Sequence, residues 1–350
     1  MSSSENMDAP ANRHLSREVT YPASLGYFVL EVLGSLAMLV ILNFFALWYL
    51  GNYSTNYGYW TLHQKWSLLA KMEAPVDWLI LGDSSCNQGV SPAIIAEQMG
   101  GSAINLCTIG NVTVLNDLWM LEEYIQRFGP PKAVVVVHVY DIWSRGLSPV
   151  ILGQIPRPWG FWNEHTLGTT LLENPDIRSD LFLEHYVPLL SQRISLTTIL
   201  RSVVFGKLTP FESQWHMEDN GFLIDEQARP EIAKQDGQDH MEFVRENDPF
   251  ISSINQTALN ELKEIAEVYQ LPIYLVNSPL YEGLFADEVF QAYLGQLRAQ
   301  IDAVVGQSET IHLIPEVKTF PASQLQTADH VTLPGAQAYT EWLIQRILSR

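Results

Sequence analysis

Cysteine and basic side chains are both scarce in this chain of 350 residues. Its two cysteines have no clustered histidines around them, so the sequence has no zinc-site pattern. Lysine and arginine number 20 against 39 aspartates and glutamates, which gives a formal net charge of −19. Phosphate binding needs clustered basic residues, so this balance argues against nucleic acid as a partner and favours a role of the acidity in solubility.

Charge is also absent from Val32–Leu50, a run of 19 residues. That length is about what a helix needs to cross the apolar core of a bilayer. Trp48 and Tyr49 near its end are typical interface anchors, and Arg13 and Arg17 precede it. We therefore expect a single membrane anchor with a cytoplasmic N-terminus. The alternatives are a cleaved signal peptide, which the bulky residues at the end of the run disfavour, and a buried core helix.

The composition along the chain predicts four segments. They are a cytoplasmic tail at 1–24, the transmembrane anchor at 25–50, a connector at 51–74, and an extracytoplasmic domain at 75–350 that carries an insert at about 150–250. We find no internal repeat.

Within the last segment, apolar runs of strand composition alternate with helical patterns. The predicted strands are 76–82, 103–107, 133–139, 272–277 and 310–315. Such alternation implies a parallel sheet with helices on both faces, so the predicted fold is α/β, a flavodoxin-like three-layer sandwich with a five-stranded parallel sheet. In a sheet of order 2-1-3-4-5 the first two strands are neighbours. Cys86 and Cys107 follow or end those strands, which leaves two possibilities, a disulfide or two separate buried thiols.

The first predicted strand ends in Gly82-Asp83-Ser84-Ser85. A side chain at the carboxyl edge of a parallel sheet points into the crevice where α/β proteins bind ligands. Ser84 is thus a candidate nucleophile, with Ser85 as the less favoured alternative and Asp83 as a brace for the turn.

A serine hydroxyl needs a base, and His330 is the best placed of the nine histidines. It follows the last predicted strand and precedes the last predicted helix, so it belongs at the same edge of the sheet as Ser84. The alternative is a histidine of an ordinary surface loop.

These two segments, Gly82-Asp83-Ser84 and Asp-His-x-x-Leu-x-Gly-Ala at 329–336, resemble the SGNH (GDSL) hydrolase superfamily. The likeness covers about 75–145 and 255–350. It is strongest to a membrane-anchored envelope branch, similar to the D-alanyl-transfer proteins of teichoic acid modification and to alginate O-acetylation proteins. The resemblance implies Ser84 as nucleophile and His330 as base.

The resemblance also implies an oxyanion hole from the Ser84 N–H and Gly110. The chain departs from the family pattern at two places. Thr327 stands where the family has an aspartate three residues before the histidine, so the adjacent Asp329 is the candidate acid. The Gly-x-Asn-Asp block does not follow the third predicted strand, which leaves Asn111 as the candidate amide donor. Val114–Asp117 is similar to that block but falls in a predicted helix.

The function expected from these features is that of a membrane-anchored serine esterase or O-acyltransferase that acts on an envelope or extracellular glycan, with no cofactor and no metal. An acylated glycan or small ester would be the substrate, and a membrane-bound acyltransferase a further partner. The alternative is a non-catalytic module of the same fold that binds polysaccharide or a membrane partner. A secreted lipase with the insert as lid ranks last, because the insert is mixed and acidic.

Overall fold

The computed structural model describes residues 22–165, 168, 173–306 and 308–350. Almost all of the expected cytoplasmic tail lies outside the described residues. The chain divides after Phe45 into two compact units, and residues 46–350 form the larger one.

The first helix, α1, covers Pro22–Tyr53. Within it, Gly26–Tyr53 contains 18 consecutive residues with a mean hydropathy of 2.2, none of which is buried. The helix is therefore long and apolar enough to cross a bilayer. A signal sequence near an N-terminus shares this length and composition. The cytoplasmic position of the N-terminus remains a prediction.

Five strands form one parallel sheet in the order β2-β1-β3-β6-β8. Both the parallel sheet and the order predicted from the sequence are confirmed. Two short two-stranded pairs, β4 with β5 and β7 with β9, lie outside it. The strands are β1 Trp78–Gly82, β2 Ala103–Asn105, β3 Ala133–His138, β4 His216–Met217, β5 Leu223–Ile224, β6 Ile273–Asn277, β7 Leu280–Tyr281, β8 Ile311–Ile314 and β9 Thr319–Phe320.

The helices after α1 alternate with the sheet strands or belong to the insert. They are α2 Tyr57–Lys71, α3 Ser84–Gly89, α4 Pro92–Met99, α5 Thr113–Phe128, α6 Pro149–Leu152, α7 Pro175–Tyr186, α8 Pro188–Ser191, α9 Arg193–Val204, α10 Pro230–Glu246, α11 Ser253–Tyr269, α12 Glu282–Phe285, α13 Glu288–Val305 and α14 Leu333–Leu348.

Side chains of the sheet alternate between two buried clusters, as the pleat of a strand requires. In β1, Leu79 and Leu81 lie in a cluster with residues of α2, α5, α11 and α13. Ile80 lies in the other cluster, with residues of α4 and α14. Strand β3 is buried on both faces along its whole length, so it needs apolar side chains at successive positions. This requirement explains its almost unbroken run of valines.

The expected connector at 51–74 is part of the domain core. Leu62, Trp66 and Leu69 of α2 are buried in the first cluster. Their spacing places them on one face of the helix, so the segment packs along that face instead of bridging two bodies.

A buried lysine fixes α2 to the sheet. Lys65 Nζ donates to Asn105 O at 2.8 Å, Asn105 Oδ1 at 3.0 Å and Gly221 O at 2.5 Å. All three donors of the ammonium are thereby used, and burial lowers the pKa of Lys65 well below its usual value.

The insert contains a helix that the sequence did not predict. Residues 206–248 of the insert are mostly polar, and α10 occupies Pro230–Glu246 within them. Its buried residues Ala233, Gly237, Met241 and Val244 form a helical stripe. Two of the four are small, so the apolar periodicity is too weak to stand out among the acidic neighbours.

Candidate active site

Ser84 is the first residue of α3, directly after the turn that ends β1. Gly82 in that turn has φ of +143°, and a Cβ there would lie 2.0 Å from the Val137 carbonyl oxygen, so only glycine fits. Asp83 caps α3, since its Oδ1 accepts from Ser85 N at 2.8 Å and from Ser85 Oγ at 2.6 Å. The brace role expected for Asp83 is therefore confirmed. Ser85 is fully buried, whereas Ser84 is partly exposed.

A buried network lies behind this turn. Asp83 Oδ2 accepts from Val139 N at 2.7 Å and lies 3.4 Å from His138 Nδ1. The other ring nitrogen of His138 is 2.6 Å from Asp117 Oδ2. All three charged side chains are buried, so one imidazole bridges two carboxylates beneath Ser84.

The protonation of this trio follows from its contacts. Burial opposes the charge on His138, but the carboxylates of Asp117 and Asp83 outweigh it and raise the pKa of His138 to about 10. Burial is also outweighed at Asp83, whose pKa is lowered by hydrogen bonds from His138 and Ser85. Burial dominates at Asp117 and raises its pKa. At neutral pH the imidazole is therefore the cation that holds the turn.

Ser84 opens into a cleft of about 360 Å³ that the two candidate oxyanion residues, Gly110 and Asn111, also line. A Cβ at Gly110 would lie 2.2 Å from Ile142 Cδ1 and 2.7 Å from Arg145 Nη1, so any larger residue there would displace the ends of those two side chains. Asn111 Oδ1 accepts from Arg145 Nη1 at 3.2 Å. The structure thus brings Ser84, Gly110 and Asn111 into one cleft.

His330 lies just before α14 and is oriented by its neighbours. Its Nδ1 is 2.6 Å from Asp329 Oδ1 and 2.7 Å from Thr327 Oγ1, and Thr327 Oγ1 donates to Asp329 Oδ1 at 2.8 Å. An Nδ1–H that donates to Asp329 leaves the lone pair on Nε2. Although Asp329 is adjacent to His330 in sequence, its carboxylate reaches the Nδ1 atom of the ring.

The electrostatics of this pair favour a base. Burial opposes a charge on the imidazole, yet Asp329, and more weakly Asp83, raise the pKa of His330 above its ordinary value. Burial likewise opposes the charge on Asp329, and His330 outweighs it and lowers the pKa of that carboxyl. The imidazole is thus a stronger proton acceptor than a free histidine.

His330 and Ser84 open into different clefts that have Tyr57 in common. His330 lines a cleft of about 640 Å³ with Tyr57 and Gln88, and Tyr57 also lines the cleft of Ser84. Among the residues that the structure describes, no hydrogen bond joins Ser84 to His330, and such contacts are often long in ligand-free enzymes.

Helix packing also relates the two residues. Ser84 begins α3, and His330 stands three residues before α14 begins. The two helices pack together, since Thr340 Oγ1 of α14 accepts from Ser91 N at 3.0 Å and lies 3.3 Å from Gly89 O at the end of α3. Residues some 250 positions apart in sequence therefore belong to one packed region.

Sequence reasoning missed Arg145 and Tyr57 as lining residues of the serine cleft. Arg145 pairs with Asp141, through Nη2 at 2.5 Å and Nε at 3.2 Å. The signal was present, because Asp141 and Arg145 are four residues apart just after the third strand. Tyr57 gave no such signal, because it lies in the segment expected to be a connector.

Cys86 and Cys107 are joined by a disulfide, with their Cα atoms 5.8 Å apart. The bond links α3, which Ser84 begins, to the chain just after β2. Of the two possibilities that the sequence left open, the structure has the disulfide.

One group of side chains next to His330 has metal-ligating atoms close together. Ligand atoms of Asp236, His240 and Asp329 lie within 4.8 Å of one another. Each also has a protein partner. Asp236 Oδ2 accepts from Ala328 N at 2.7 Å, and His240 Nδ1 is 2.8 Å from the Tyr140 hydroxyl. The group therefore buttresses the loop of His330.

Comparison with known proteins finds no family model that matches the chain and no curated protein with significant similarity to it. The function is therefore argued from the geometry of the site.

Proposed function

We propose that this protein is a membrane-anchored serine esterase or O-acyltransferase of the SGNH type, with a flavodoxin-like three-layer fold. The observation that carries the proposal is the Asp329–His330 pair, in a cleft that meets the cleft of Ser84 at Tyr57. An oriented imidazole and a serine at the start of a helix after a central strand are the parts that acyl transfer needs.

The proposed reaction has two halves. Ser84 Oγ attacks the acyl carbonyl while His330 Nε2 takes the hydroxyl proton, and His330 returns that proton to the leaving alcohol as the acyl-enzyme forms. Water or a sugar hydroxyl then attacks the acyl-enzyme, with His330 first as base and then as acid that reprotonates Ser84. Asp329 stabilises the imidazolium in both halves.

The tetrahedral intermediates need donors for their oxyanion. The Ser84 N–H at the start of α3, the Gly110 N–H and the Asn111 side chain are the proposed donors. Asn111 Oδ1 already accepts from Arg145, which turns the amide nitrogen of that side chain to donation elsewhere. The loss of one such donor costs about 10²–10³ in rate.

The proposed setting is the outer side of a membrane. The apolar helix α1 supplies the anchor, and a disulfide in the domain suits an oxidising compartment outside the cytoplasm. The proposed substrate class is an acyl ester of an envelope or extracellular glycan, and the acyl donor system would be a membrane-bound partner.

A fluorophosphonate probe tests the proposal. We expect the folded full-length chain in detergent to be labelled and the Ser84→Ala variant not to be. The matched control is Ser85→Ala, which tests the alternative nucleophile and should retain labelling. If the folded wild-type chain is not labelled, or if Ser85→Ala alone loses the label, the assignment of Ser84 is wrong.

A non-catalytic binding module is the second candidate. The observation that favours it is the separation of Ser84 and His330 into two clefts without a hydrogen bond in the described part of the chain. It predicts a folded protein that reacts with no serine-directed probe.

A further inference from the structure

The end of the apolar helix α1 contacts the insert through Tyr49 and Tyr53. The last residues of α1 pack on the segment after α9, since Tyr49 Oη donates to Pro210 O at 2.5 Å. The ring of Phe211 lies 5.9 Å from that of Tyr49 and 5.7 Å from that of Tyr53, centroid to centroid. The end of an apolar, membrane-length helix is therefore held against this part of the insert.

Helix α9 packs on the same place. Its Ile199 is buried in a cluster with Tyr49, Leu50 and Tyr59. The opposite side of α9 and the segment that follows expose large apolar side chains, which we call the α9 patch. Its members are Ile194, Leu200, Val204, Phe205 and Phe211, each more than half exposed.

The threonine hydroxyls on the outer side of α9 are hydrogen-bonded to the backbone of the helix. Thr197 Oγ1 donates to Arg193 O at 2.7 Å, and Thr198 Oγ1 donates to Ile194 O at 2.9 Å. Both hydroxyls are satisfied by the helix backbone, so they have little need of water. Arg201 lies in the last turn of the same helix. Its long stem can lie along an apolar surface while the guanidinium reaches phosphate groups.

The charged residues near the α9 patch also favour contact with a membrane. Residues 188–207 contain Arg193, Arg201 and Lys207 and no acidic residue, in a chain with a net charge of −19. An exposed apolar face flanked by basic residues is typical of a helix that lies in the interface of an anionic membrane.

We propose that the α9 patch lies in the headgroup region of a lipid bilayer with anionic lipids. Tyr49, which the Phe211 ring of the patch contacts, belongs to α1, and a rise of 1.5 Å per residue puts it only four residues, about 6 Å, along that helix from Phe45. This inference rests on the anchor of the proposed function and not on its chemistry. Its consequence is that the domain has a second attachment, which limits its rotation above the membrane.

Site-directed spin labelling tests the inference on the full-length chain in nanodiscs of phosphatidylcholine and phosphatidylglycerol. The two native cysteines are joined in the disulfide, so a single added cysteine is the only free thiol. The test position is Val204→Cys, in a side chain 70% exposed, and the matched control is Val268→Cys on α11, 74% exposed.

We expect the label at 204 to be accessible to oxygen, shielded from a water-soluble nickel chelate, and about 5–10 Å deep in the boundary between headgroups and acyl chains. The label at 268 should show the reverse accessibility. If the label at 204 behaves like that at 268, the α9 patch faces water and the inference is wrong. If the label at 204 is shielded from both oxygen and the nickel chelate, another protein or a second copy of the chain covers the patch. That result would also contradict the inference.

A label at Leu39→Cys separates this result from the anchor itself. A lipid-exposed label at 39 together with a water-exposed label at 204 overturns only the present inference. A label at 39 that is outside lipid overturns the anchor and the inference together. Neither outcome depends on Ser84.

Discussion

At the scale of single residues, two charged groups matter most for the candidate site and its stability. Asp329 stabilises the imidazolium of His330, and His138 holds two carboxylates beneath the turn of Ser84. In the proposed reaction the first affects the rate of acyl transfer, whereas the second affects the stability of the fold. Their removal should therefore have different consequences.

Asp329→Asn should lower kcat for ester hydrolysis by about 10²–10⁴-fold, because the imidazolium loses its counter-charge. The wild-type rate should rise with pH through the raised pKa of His330, since neutral imidazole is the active form. Loss of the Asp329 carboxylate lowers that pKa, so the acid limb of the profile moves to lower pH. Thr327→Val removes a hydroxyl but no charge and should leave the limb in place. An unchanged profile in Asp329→Asn would contradict the pairing.

His138→Gln should lower the free energy of unfolding by about 3–5 kcal/mol, because two buried carboxylates lose their partner. The pKa of His138 is raised in the folded chain, so its stabilisation is complete below pH 6.5 and is lost as pH rises towards about 10. Denaturant unfolding of the full chain in detergent should show the deficit shrinking over that range. The control is His312→Gln on β8, which should cost little. An equal deficit at both ends of the range would exclude this electrostatic origin.

At the scale of elements, α10 buttresses the loop of His330. Arg229, just before α10, donates its N–H to Leu325 O at 2.8 Å, and Asp236 within the helix accepts the Ala328 N–H. An element of the insert thus positions a residue at the carboxyl edge of the sheet. Insert and site are therefore coupled through backbone hydrogen bonds.

Asp236→Ala should lower kcat by between about tenfold and 10²-fold through misplacement of the loop, with KM little changed. Amide exchange at Ala328 should become faster. Asp239→Ala is the matched control, because Asp239 lies on the same helix and, in the described part of the chain, its carboxylate accepts from Gln235 alone. Equal kinetics for the two variants would show that Asp236 does not position the loop.

The sequence predicted the elements of the sheet well but did not predict helix α10 of the insert. The strands around Ile80, Val135 and Leu275 are apolar runs flanked by breakers, so local composition was enough. Helix α10 was missed because Gly237 and Ala233 bury little apolar surface, and α2 was misjudged because Trp66 packs on a core formed by distant segments. The reach of Asp329 to His330 depends on loop conformation, which sequence spacing does not determine.

At the scale of the whole molecule, the account depends on which side of the membrane the domain occupies. The apolar helix establishes only that a crossing is physically feasible. The basic residues before it predict a cytoplasmic N-terminus, and the disulfide suits an oxidising side for the domain.

A membrane-impermeant maleimide tests this orientation in intact cells. Val268→Cys should be labelled without permeabilisation, since the side chain is exposed on the domain. Ser3→Cys, which precedes the helix in the sequence, should be labelled only after permeabilisation. The opposite pattern would place the domain in the cytoplasm and remove the proposed extracellular glycan as substrate.

The most direct test of the central claim is an experimental structure of the full chain after reaction with a fluorophosphonate. The account predicts a covalent bond from Ser84 Oγ to phosphorus and His330 Nε2 within about 2.6–3.2 Å of that oxygen or one water away. An adduct on any other side chain, or an imidazole beyond the reach of one water, would contradict it.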